Sequence, residues 1–122
     1  MPLYLAYCPD KEGNFAGRMK ERQAHVSASA AGKKAGTTLF GRAFVDDAHS
    51  HHATERQKTP EDQHDGMAGS VMIYRYPTIE ACWARIRGDA YWVEGVWDRE
   101  RVVVREIIGA EGDDALRLVM EK

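Results

Sequence analysis

Residues 78–108, TIEACWARIRGDAYWVEGVWDRERVVVREII, restrict the fold of this chain more than any other stretch. Ile79, Cys82, Trp83 and Ile86 fall at i, i+3, i+4 and i+7, one apolar stripe of a helix. Thr78 is placed to cap that helix, and Glu80 lies in its first turn, where the helix dipole favours negative charge. Gly88 suits the left-handed residue that ends many helices. Asp89 then stands beside Ala90, Tyr91 and Trp92, an acid set among apolar and aromatic residues just past a helix end. From Trp97 to Ile108 the β-branched run Val102, Val103, Val104, Ile107, Ile108 predicts a long strand.

Before that stretch the elements alternate. Leu3–Cys8 is a short apolar run closed by Pro9 and Asp10, a first strand, and residues 9–14, PDKEGN, form a turn. A helix is predicted from Phe15 to about Ala35, with Phe15, Met19, Val26 and Ala30 as its apolar stripe. Lys33, Lys34 and Gly36 supply its basic last turn and glycine stop. Thr37–Val45 is a β-rich run with Gly41 as a bulge or close-approach position. Residues 46–68 are polar, lack apolar periodicity and hold four of the five histidines. A loop of that length is functional or unstructured. Gly69–Tyr76 is a further strand, ended by Pro77. The tail after Gly109 fits an extra strand or a final helical turn.

The order β, α, β, long loop, β, α, β predicts an α+β, ferredoxin-like βαββαβ domain spanning 1–122. Its four-stranded antiparallel sheet carries both helices on one face, with 46–68 as a polar loop and 109–122 as a C-terminal extension. The open face is expected to bear residues such as Tyr4, Phe44, Tyr74 and Tyr76, or their alternates. An apolar face of that kind needs a partner, and a second copy of the chain is the simplest one.

Charge and cysteine usage exclude several classes. The formal net charge of -2 and a pI of about 6.2 give no electrostatic case for nucleic acid. No run approaches the ~18 apolar residues of a membrane span, and the N-terminus lacks the pattern of a signal peptide. Cys8 and Cys82 have no metal spacing and read as buried free thiols in a reducing, cytoplasmic setting. His49, His51, His52 and His64 match no ordered zinc motif and belong to a solvated loop. Phosphate-binding glycine loops and cofactor-attachment motifs are absent, so neither a metal nor an organic cofactor is expected.

Several positions together resemble a known family. Arg18, Arg22 and His25 form an Arg-x3-Arg-x2-His pattern. Gly41 follows on the second strand, Gly69-Ser70 opens the third, Asp89-x-Tyr91 follows the second helix, and Gly95-Val96 opens the last strand. Over roughly residues 3–108 this ordered set resembles the YCII-related (YciI-like) family. The resemblance implies a dimeric α+β barrel, two ferredoxin-like subunits packed sheet against sheet, and small cofactor-free proteins. It implies a paired His25 and Asp89 as catalytic centre, with one branch of the family eliminating chloride from a chlorinated hydroxyquinol. Two departures stand out: Ala90 replaces a usual proline, and the loop at 46–68 is longer and richer in histidine.

The chemistry of these residue types fits that implication. Arg18, Arg22, His25 and Ser29 lie at i, i+4, i+7 and i+11 on one helix face. An aspartate bonded to one imidazole nitrogen fixes the tautomer and raises the basicity of the other. Asp89 is therefore expected either to orient His25 or to pair with Arg22. Arg18, Arg22, Ser70 and Tyr91 are the expected substrate-binding residues, with the arginines holding an anionic oxygen. Two functions remain open. One is a cofactor-free lyase or isomerase acting on a hydroxylated aromatic or polyketide-like small molecule. The other is a non-catalytic small-molecule-binding or accessory module with a vestigial pocket.

Overall fold

A computed structural model of the chain describes residues 1–50 and 66–116. Strand β1 (Leu3–Pro9) leads to helix α1 (Phe15–Ala35) and strand β2 (Thr38–Val45). Strand β3 (Met67–Arg75) leads to helix α2 (Ile79–Arg87), the short helix α3 (Ala90–Val93) and strand β4 (Val103–Ile107). The strands form one sheet in the order β2-β3-β1-β4, every neighbouring pair antiparallel. This is the ferredoxin-like α+β arrangement, with the helices on one face.

Local chemistry explains most boundaries. The Thr78 hydroxyl accepts from Ala81 N–H at 3.1 Å, a cap that contributes about 1 kcal/mol. Gly36 ends α1 with φ 84°, and its N–H reaches the carbonyls of Gly32 and Lys33. Gly88 departs from expectation: its φ is -86°, right-handed. The chain does not reverse there but continues into α3, because Asp89 caps the new turn through a 2.9 Å bond from Tyr91 N–H.

The last strand is shorter than its sequence implied. Residues 97–102 are not part of β4, Gly95 lies in a turn with φ 69°, and Val96 is outside the strand as well. Trp97 makes only an isolated bridge to Asp10, and its side chain is fully buried in the core. Asp98 then accepts from Glu100 N–H and caps a single 3-10 turn, Arg99–Arg101. The charged Asp-Arg-Glu-Arg segment favours that local turn over sheet pairing. Gly41 sits in regular register opposite Met72, and the irregularities of β2 fall between Thr38 and Phe40 and between Phe44 and Val45. Residues 113–115 form a 3-10 turn. Residues 117–122 lie outside the described residues, as do His51, His52 and His64 of the polar loop.

The core corrects two expectations. Tyr4 and Tyr74 do not face the open side of the sheet: they are buried with Ala6, Cys8, Met72, Cys82, Ile86, Tyr91, Val96, Trp97 and Val104. Tyr76 packs against this cluster as well. Strand alternation places Leu5, Tyr7, Phe40, Phe44, Val71, Ile73 and Val103 on the opposite face, where Tyr7 and Phe44 stack at 5.0 Å. The second correction concerns α1. Its apolar stripe is not the docking face, since Phe15 and Val26 are each 39% exposed. The buried residue of α1 is Arg18. Polar and ionic contacts hold this helix against the rest of the molecule.

Candidate functional site

Asp89 gathers the site because its backbone position makes it both a cap and an acceptor. Its Oδ1 takes Tyr91 N–H, and its Oδ2 takes His25 Nδ1 at 2.8 Å and Arg85 Nη1 at 2.9 Å. The Asp89 side chain has no solvent exposure, while those of His25 and Arg85 are 13% and 14% exposed. Burial pushes the Asp89 carboxyl upward in pKa, but the His25, Tyr91 and Arg85 donors outweigh it and hold the group below the usual carboxylate range. An ionised carboxylate only accepts, so Nδ1 must carry the proton toward it, leaving Nε2 of the neutral ring with the lone pair. Packing fixes the ring: His25 stacks on Tyr91 at 4.3 Å and 17°, with Trp97 edge-on at 5.8 Å.

A second buried acid sits close by. Arg18 is 2% exposed and makes a two-pronged contact with Asp10, Nε to Oδ2 at 2.7 Å and Nη2 to Oδ1 at 3.1 Å. Its Nη2 also donates to Ser70 Oγ at 2.6 Å, and its guanidinium lies 4.5 Å from the centre of the Tyr91 ring. These bonds fix Nε and Nη2 of Arg18 in place, and the residue still lines the cavity described below. Arg22 differs. It is half-buried, and among the described residues it makes no hydrogen bond or ion pair. The alternative pairing of Asp89 with Arg22 does not occur: Arg85, one helical turn before Asp89, takes that place.

These groups border one cavity of about 630 Å³ between α1 and the β2–β3 side of the sheet. Arg18, Arg22, His25, Ser29, Lys33, Gly41, Ser70 and Tyr91 are among its lining residues, and no carboxylate among the described residues lines it. The sequence-derived set His25, Arg18, Arg22, Ser70 and Tyr91 thus meets at one place, with Asp89 behind the histidine. A cavity of about 690 Å³ lies elsewhere, bordered by Tyr7, Phe44, Asp46 and His49. It also has a histidine–aspartate contact, His49 Nδ1 to Asp46 Oδ1 at 2.7 Å. That pair is 42% and 47% exposed, so water screens it, and it mainly caps a 3-10 turn. The enclosed His25 pair is the better acid–base candidate.

Asp10 and Arg85 escaped the sequence reading. Asp10 looked like turn punctuation, and nothing local tied it to Arg18. Arg85 carried a legible signal, because it precedes Asp89 by four residues at a helix end. The thiols take no part: burial pushes the Cys8 pKa upward and that of Cys82 up to about 11, so both stay protonated near neutrality. Among the described residues no group of three or more His, Cys, Asp or Glu side chains is arranged to hold a metal ion. No helix among them is long and apolar enough to cross a membrane.

Fold and site define a ferredoxin-like α+β protein whose first helix roofs a basic cavity. Comparison places it further. The chain is 31% identical over 101 residues to fusaric acid biosynthesis protein 2 of Gibberella moniliformis (strain M3125 / FGSC 7600), covering 83% of this chain and 88% of that protein. The chain belongs to the family of that protein. Among solved structures, 5-chloro-2-hydroxyhydroquinone dehydrochlorinase from Burkholderia phenoliruptrix AC1100, in complex with 2,5-dihydroxybenzoquinone, superimposes with a TM-score of 0.70 at 16% identity. The match covers 89% of this chain and 96% of that one and shows a shared fold. No protein-family model matches the sequence.

Proposed function

We propose that the chain is a cofactor-free lyase or isomerase of the YCII-related type, moving a proton on a hydroxylated aromatic or polyketide-like small molecule. His25 Nε2 is the base. Asp89 fixes its tautomer and stabilises the imidazolium that forms, and Arg22 takes the developing anionic oxygen of the substrate. Ser70 and Tyr91 complete the binding surface. The observation that carries this reading is the 2.8 Å contact between a cavity-lining histidine and a fully buried aspartate. A positioned base of this kind typically contributes ~10²–10⁴-fold in rate. The names of the relatives support the substrate class: one belongs to a small-molecule biosynthesis, the other acts on a chlorinated hydroxyquinol. Proton transfer to imidazole asks nothing of a metal or organic cofactor.

Chloride release from 5-chloro-2-hydroxyhydroquinone, and thermal stabilisation by 2,5-dihydroxybenzoquinone, test the proposal together. Turnover lost in His25→Ala with ligand stabilisation retained supports the enzyme. Stabilisation without turnover of any hydroxylated aromatic favours the second reading, a binding or accessory module. That reading has its own support, because the Asp89 network also ties α1 to α3.

We also propose a homodimer joined through the open sheet face. Tyr7 and Val103 there are 41% and 38% exposed, and they extend an apolar strip with Leu5, Phe40, Phe44, Val71 and Ile73. Sedimentation at micromolar concentration should give twice 13.7 kDa, and a monomer alone removes the proposal.

A further inference from the structure

The hydroxyl of Ser70 is fully committed on its acceptor side. Ser70 is 1% exposed, and its Oγ receives Arg18 Nη2 at 2.6 Å and Trp97 Nε1 at 3.3 Å. A guanidinium and an indole N–H are donors only, so both of these bonds run toward Oγ. A hydroxyl has two acceptor lone pairs and one proton. Both lone pairs are occupied, and the proton is the one valence left. Among the described residues nothing accepts it, and Ser70 lines the cavity shared with His25 and Tyr91.

We infer that Ser70 is a donor-only hydroxyl that hydrogen-bonds an acceptor oxygen of the bound molecule, such as a carbonyl, quinone or phenolate oxygen. The same bonding rules out Ser70 as a nucleophile. Attack needs a free lone pair and a base to take the proton. Here the lone pairs face two donors, one of them cationic, and among the described residues no base lies within hydrogen-bond distance of Oγ. The Arg18 charge, fixed by Asp10, polarises the hydroxyl and strengthens it as a donor. A ligand offering only a donor at this position leaves the serine proton unpaired, so the residue selects for oxygen acceptors. The identity of the acceptor rests on the proposed oxygenated small-molecule substrate. The direction of the proton does not.

Neutron diffraction from crystals of the deuterium-exchanged, ligand-free protein reads that direction. The Ser70 deuteron should point into the cavity, with those of Arg18 and Trp97 pointing at Oγ. A serine deuteron bonded to Asp10 or to a backbone carbonyl overturns the inference, whatever reaction the protein performs. Calorimetry with 2,5-dihydroxybenzoquinone tests the ligand side. Ser70→Ala should bind it about three- to tenfold more weakly, the value of one hydrogen bond. Ser70→Thr, which keeps the hydroxyl, should recover most of the loss. Unchanged affinity in a folded Ser70→Ala protein overturns the assignment, as does covalent labelling of Ser70 by a fluorophosphonate. If the wild-type protein ignores the quinone, the proposed substrate class is at fault, and the neutron result alone decides the role of Ser70.

Discussion

Arg18 and His25 leave the same face of α1, seven residues apart, and each ends on a buried aspartate. The two ends differ in what they can do. Arg18 carries a permanent charge, its side chain is 3% exposed, and its Nε and Nη2 are bonded to Asp10 and Ser70. The His25 side chain is 13% exposed, bonds Asp89 through Nδ1 alone and lines the cavity. The acids differ in the same sense. Burial outweighs the pull of Arg18 and raises the Asp10 pKa. Burial of Asp89 is overcome by donors from α1, α2 and the start of α3, and its pKa is lowered. Burial therefore decides the first case, and donors from three elements reverse it in the second. One pair fastens the helix, and the other holds an imidazole at a cavity wall.

Breaking the fastening pair should have the largest effect on stability. Arg18→Met leaves Asp10 buried without its cation, at a cost of about 3–5 kcal/mol in urea unfolding. His25→Ala should cost about 1 kcal/mol, because Arg85 and the Tyr91 N–H still hold Asp89. Equal losses would erase the distinction between the two ends.

On turnover the order reverses. Asp89→Asn should keep the fold and lower the rate by about 10²–10⁴-fold, since an amide does not stabilise an imidazolium as a carboxylate does. A rate within about threefold of wild type would return Asp89 to a capping role alone.

Arg85→Gln should have a smaller effect, about 1.5 kcal/mol of stability, the order of one hydrogen bond to a charged group. Arg85 is the cation that anchors Asp89 from its own helix, so an unchanged unfolding midpoint would show that His25 and the cap suffice.

The smallest effect lies in acid. The Asp89 pKa is depressed in the folded state, so the stability it contributes is complete above its unfolded value of about 3.9 and is lost as pH falls through the lower folded value. Unfolding followed from pH 5 to pH 2 should show a shallower acid loss in Asp89→Asn than in the wild type. An identical slope would mean that Asp89 has no linkage to folding.

The sequence determined the elements and their order. Apolar period, the Thr78 cap and the Gly36 stop are local signals, set within a few residues, and they placed β1, α1 and α2 well. It also marked Asp89, because an acid among aromatic residues past a helix end is locally conspicuous, whereas His25 stood out only through the ordered motif set that resembles the YCII-related family. Which residues they meet was settled only in three dimensions. Asp10 and Arg18, Ser70 and Trp97, and His25 and Asp89 are joined by contacts across the sheet and between helices. Only α1 packing revealed that its polar face, not its apolar stripe, turns inward. Trp97, which looked like strand, went into the core because burying an indole with its N–H satisfied by Ser70 outweighs a few ladder bonds. Periodicity reports which side chains share a face. Which face is buried depends on the partners that tertiary structure brings to it.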